Sequence, residues 1–186
     1  MSLKEVYQTL RNLNNNDQIL KEGPFACKQD NAWLGIGYYF WEDSLKPARY
    51  WGKKFHDNKY VICKALCDIS DDNCFNFEGN VKHNEFFEEA LKKIQQLGEL
   101  KSTVTVPHVI RYLMDCGQFP FYASRAETSD AFDPNQYLTE DDFKEDVIFN
   151  IKINKPKTRL HIVFQICIYD LSKVNFREFK IVEVSD

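Results

Sequence analysis

Apolar and polar positions change their period several times along this chain, and each change marks an element. Residues 4–9 read as a first strand, and an Asn-rich turn leads to a short helix over 17–22. Asp17 is its expected N-cap and Gly23 its stop, with Pro24 blocking continuation. Gly35 and Gly37 are spaced for positive φ or close backbone approach, and the aromatic run Tyr38 to Trp41 then reads as a strand. Ser44 is placed to cap a helix running to Phe55, whose first turn tolerates Pro47. A strand is expected over 60–67, and a helix between Asn84 and Gly98, where Phe87, Ala90, Leu91, Ile94 and Leu97 recur at helical spacing. The pairs Glu88/Lys92 and Glu89/Lys93 support that helix. A second helix over 107–116 ends at Gly117 and turns Val106, Ile110, Leu113 and Met114 inward. Strands are expected again over 119–124, 147–151, 161–169 and 178–184, with a polar loop at 126–145. The chain thus reads as a mixture of strands and helices.

Composition narrows the class. A chain of 186 residues, 44% of them hydrophobic, is expected to be one domain over 1–186 that buries about two-thirds or more of its unfolded surface. The net charge of −4 is mild, and the densest acidic run, from Glu127 to Asp146 with Lys144 its only cation, would repel phosphates. The six cysteines read as reduced thiols. Cys63, Cys67 and Cys74 have loose metal-like spacing without a fourth ligand, so small core residues are expected and no metal. His83 and His108 are expected at helix edges or on the surface. No stretch reaches the roughly 20 apolar residues of a membrane helix, and the expectation is a soluble, cytoplasmic protein without a membrane partner.

Two stretches carry more than structure. Gly35-Ile36-Gly37-Tyr38-Tyr39-Phe40-Trp41-Glu42, followed by Ser44, Ala48 and Tyr50, resembles a motif of the ADP-ribosyltransferase superfamily, in its poly(ADP-ribose) polymerase-like and diphtheria-toxin-like branch. Ile19-Leu20-Lys21-Glu22-Gly23 is similar to the helix that opens that fold, and Tyr7-Gln8-Thr9-Leu10-Arg11 to the strand before it. The strand Phe164-Gln165-Ile166-Cys167-Ile168-Tyr169-Asp170 resembles the polymerase-like catalytic strand and, more closely, a His-Ile-Gln-Ile-x-Val strand of bacterial relatives bearing Tyr-Phe-Trp-Glu. The resemblance implies an α+β fold, a split β-sandwich of two antiparallel sheets with peripheral helices and with NAD, as substrate, in the cleft.

It also implies roles. Tyr39 and Tyr50 would clamp the nicotinamide ring, with Gly37 in the same frame, because an electron-poor pyridinium is well held between electron-rich faces. Gln8 would stand where the family has the ribose-binding His, and the Thr9 backbone would meet the carboxamide. Arg11 or Arg49 would meet the pyrophosphate. Trp41, Trp51 and Phe55 read as core. Gln165 occupies the catalytic Glu position, where a carboxylate would stabilise the oxocarbenium-like state; Gln can hold a hydroxyl but brings no charge. Glu127, or another acid of the loop at 126–145, could supply the missing carboxylate. Three readings follow: first, because Gln preserves hydrogen bonding, an NAD-dependent ADP-ribosyltransferase or NAD glycohydrolase acting on protein, nucleic acid or water; then a catalytically weakened NAD or ADP-ribose binder; and last an interaction domain that retains the fold alone.

Overall fold

The computed structural model describes residues 2–29, 31–96, 104–128, 147–148, 157–158 and 162–185. In chain order these form β1 (Ser2–Arg11), α1 (Asn16–Glu22), β2 (Tyr38–Glu42), α2 (Leu45–Phe55), β3 (Tyr60–Ile69), β4 (Cys74–Asn76), α3 (Val81–Gln96), α4 (Val106–Asp115), β5 (Ala123–Glu127), β6 (Val147–Ile148), β7 (Lys157–Thr158), β8 (Phe164–Ile168) and β9 (Arg177–Val184). The fold is α+β. Seven strands share one sheet in the order β4-β5-β8-β2-β1-β3-β9, and β6 pairs with β7.

The expected two antiparallel sheets are therefore joined, and β4 runs parallel to β5. The join is narrow. β1 pairs with β3 along its whole length, from Ser2↔Ile69 to Arg11↔Tyr60, yet meets β2 only at Val6↔Glu42 and Tyr7↔Trp41. Beyond that seam the strands part.

Alternation along the strands builds two cores, one on each face of the sheet. Phe40 packs with Val6, Ala65, Cys67, Ile166 and Ile168, and Phe176 closes over it at 5.5 Å between ring centroids. On the other face Trp41 packs with Tyr7, Ala48, Tyr50, Tyr60 and Ile62, so α2 lies against the sheet. α3 and α4 bury Ala90, Ile94, Val109 and Leu113 against one another.

Several boundaries differ from expectation. Asn15, not Asp17, precedes α1, and Asp17 sits in its first turn; Gly23 closes the helix as expected. Ser44 caps α2, accepting from Lys46 N at 3.4 Å. α3 starts at Val81, before Asn84, because the Asn80 side chain accepts from His83 N at 3.2 Å. His83 is buried rather than at the surface: its ring stacks on Phe75 at 5.1 Å and its Nδ1 accepts from Asn76 N at 2.9 Å. β5 begins at Ala123, since Phe119 and Phe121 turn onto Phe75 instead of continuing a strand. Met114 is exposed, and Val109 takes the inward place. Cys63, Cys67 and Cys74 are buried, as core residues should be. Leu97 and Gly98, residues 129–145 of the expected loop, 149–151 and His161 lie outside the described residues.

Candidate functional site

Where β1 and β2 part, past Tyr7 and Trp41, a cavity of about 530 Å³ opens. Tyr39 and Trp41 share a strand face, two residues apart, and both line it. α2 supplies the next wall: Trp51 and Phe55 are one helical turn apart with centroids 4.1 Å from each other, and Trp51 lies 5.5 Å from Trp41. Phe25 and Trp33 come from the segment between α1 and β2. The chain has three tryptophans, and all three line this cavity.

That segment is fastened across the opening by polar side chains. Gln8 donates from Nε2 to Phe25 O at 2.8 Å and accepts at Oε1 from Phe25 N at 3.0 Å, so one side chain imitates a rung of strand pairing. Cys27 and Gly37 exchange backbone hydrogen bonds at 2.7 and 3.2 Å. The Tyr39 hydroxyl donates to Gly35 O at 2.8 Å and accepts from Leu34 N at 2.9 Å. Trp33 Nε1 donates to Gln165 Oε1 at 2.8 Å. Burial, with Cys167 next, pushes the Tyr39 phenol far above its ordinary range, so it stays a neutral donor. His56, also on the wall, has its pKa lowered by burial and by Arg11.

Of the residues expected in a site, the structure gathers Gln8, Thr9, Tyr39 and Gln165. Thr9 spends its hydroxyl on Ala48 O, 2.9 Å away, and its backbone lies in the β1–β3 ladder opposite Ile62. The others fall elsewhere. Tyr50 is buried under α2 and its hydroxyl accepts from Lys54 at 2.9 Å; the neighbouring Trp51, about 100° further round the helix, faces the cavity in its place. Trp51 and Phe55 thus line the cavity and are not core alone. Gly37 touches the structure through Cys27 and Cys167, not through the cavity. Arg11 lies 3.5 Å from Asp57, and Arg49 donates to Glu183 at 2.7 Å. Glu127 ends β5, paired with Phe164, and is strand rather than loop. Trp33, His56, Gln29 and Asn31 were not foreseen, and no local pattern marks them, since tertiary placement alone brings them here.

Glu42 follows Trp41 and so points to the opposite face, where a second cavity of about 300 Å³ is lined by Lys4, Glu42, Asn76 and Arg125. Among the described residues no group of three or more His, Cys, Asp or Glu gathers as for a metal ion, and no helix is long and apolar enough to cross a membrane. Comparison of the chain with protein families, with curated proteins and with solved structures yields no match.

Proposed function

We propose that this domain binds NAD in the cavity at the β1–β2 seam, as a catalytically weakened relative of the ADP-ribosyltransferases with a split-sandwich architecture. The observation that carries this is the convergence of Tyr39, three tryptophans and Gln165 at the one place where the sheet divides. The two-residue seam supports the division of the sheet into two halves.

The wall residues fit the pyridine half of the ligand. Aromatic faces attract a cationic ring, the more so when it is desolvated. The pyrophosphate half is less well served, because Arg11 and Arg49 are already engaged with Asp57 and Glu183. Cleavage is a different demand. A positive charge developing on the ribose needs a fixed negative partner, and Gln165 is neutral; losing one such preorganised group costs about a hundredfold or more in rate. Binding therefore outlasts turnover.

Tryptophan fluorescence reports this cavity directly. Saturable quenching by NAD, abolished in Trp51→Ala, with little nicotinamide released from NAD labelled in the pyridine ring, is the expected result. No quenching by NAD would overturn the proposal, and rapid release dependent on Tyr39 would restore the enzyme.

A further inference from the structure

The Gln165 amide is set by a neighbour that can act in one direction only. An indole N–H donates and accepts nothing, so the atom of Gln165 that meets Trp33 Nε1 at 2.8 Å is the amide oxygen. The NH2 of the same amide is left on the cavity side of a residue only 8% exposed. Among the described residues no acceptor takes it. Gln8, the other buried amide of the cavity, is spent at both ends on Phe25. The buried polar anchor left for a ligand is thus a donor, and it sits directly opposite Trp41 in the β2–β8 register, on the same face as that indole.

We infer that Gln165 donates a hydrogen bond to the ligand, and that the cavity takes a flat aromatic ring bearing a bare acceptor, a carboxylate or a carbonyl oxygen, packed on Trp41 and Trp51. This deepens the binding reading above and rests on the cavity being a ligand site. A glutamate at 165 would accept from a ribose hydroxyl; Gln165, with its oxygen held by Trp33, offers the opposite polarity. Trp33 is a positioning residue here, since it acts through the amide it orients.

Two small probes test the assignment: pyridine-3-carboxylate, and 3-methylpyridine, which keeps the ring without the acceptor. Wild-type fluorescence should saturate with the carboxylate roughly tenfold more tightly than with 3-methylpyridine, the worth of one hydrogen bond to a charged group. Gln165→Glu keeps an acceptor for Trp33 but turns a second acceptor to the cavity, so the preference should reverse. Gln165→Leu removes the donor without adding charge and should abolish the preference, with circular dichroism confirming that both variants fold. Trp33→Phe frees the amide to rotate and should shrink the preference several-fold. Equal preference in wild type and Gln165→Glu would overturn the assignment. Saturation by the carboxylate without response to NAD would overturn the dinucleotide reading alone. Response to NAD with no preference between the probes would overturn the donor role alone, and silence to all three ligands would overturn both.

Discussion

Arg125 on β5 reaches across β8 to hold Glu42 on β2, Nε to Oε2 at 2.6 Å. The Glu42 side chain is 3% exposed, and Lys4 stands 2.9 Å from its other oxygen. Arg125 also donates to Asn76 at 3.2 Å and lies 3.4 Å over the Phe164 ring. One guanidinium therefore ties together β2, β4 and β8, next to the seam that the backbone closes with only two residue pairs. Arg125→Met would leave a buried carboxylate with Lys4 alone, and breaking a buried pair costs about 3 kcal/mol or more. Urea unfolding should show that loss. The double variant Glu42→Leu, Arg125→Met should recover part of it, because no unpaired charge remains. A single-variant loss below about 1 kcal/mol would mean that solvent already screens the pair.

What the sequence disclosed follows from how local each cause is. Strand β1 was legible because an Asn-rich turn ends it, and β3 because Tyr60, Val61 and Ile62 favour a strand; the two glycines were read correctly as a pair, since Gly35 has φ +94° while Gly37 is packed closely on β8. α2 was legible as a helix, but its cavity-facing side was not. Tyr50, Trp51 and Phe55 are all aromatic, and only the sheet beneath decides that Tyr50 turns inward and Trp51 outward to the cavity. The contact between Trp33 and Gln165 spans 132 positions of sequence and leaves no periodic trace. His83 misleads for the same reason, since the rings that bury it, Phe75 and Phe121, come from outside its helix.

Gly37 is required by space and not by φ. A Cβ there would stand 2.5 Å from Cys167 Sγ and 2.8 Å from Ile168 O. Gly37→Ala should cost about 1–3 kcal/mol through overpacking. Adding Cys167→Ala should relieve only the sulfur contact, so partial rescue in thermal unfolding is the expected outcome. Full tolerance of Gly37→Ala would show that β8 moves aside freely.

Gln8 predicts an unusual pH response. Gln8→Glu keeps the acceptor for Phe25 N but points a second oxygen at Phe25 O, the carbonyl that Gln8 Nε2 reaches at 2.8 Å in the wild type. The variant should lose about 1–3 kcal/mol near neutrality. Protonating the new carboxyl restores a donor, so its folded pKa lies above the ordinary value of roughly 4.3. Such a group stabilises the fold below the unfolded pKa and ceases to do so as pH rises through the folded one. The gap in unfolding free energy between Gln8→Glu and wild type should therefore narrow as pH falls. A constant gap would show that the Phe25 carbonyl is not the partner that matters.

His56 should make both stability and binding fall in acid. Burial first, and Arg11 second, lower its pKa from 6.5. Above 6.5 the imidazole is neutral whether the chain is folded or not. Below 6.5 the unfolded chain takes up a proton that the folded chain resists, so this contribution to stability is present above 6.5 and is lost as pH falls through the folded pKa. Because His56 lines the cavity, its protonation would also set a positive charge beside the cationic pyridinium of the proposed ligand. NAD affinity, followed by tryptophan quenching from about pH 8 to pH 5, should therefore decline on the acid side. His56→Gln should flatten both profiles, and Arg11→Gln should move the onset of the decline to higher pH by removing a cation that opposes protonation. Superimposable profiles for wild type and His56→Gln would take His56 out of the site's electrostatics.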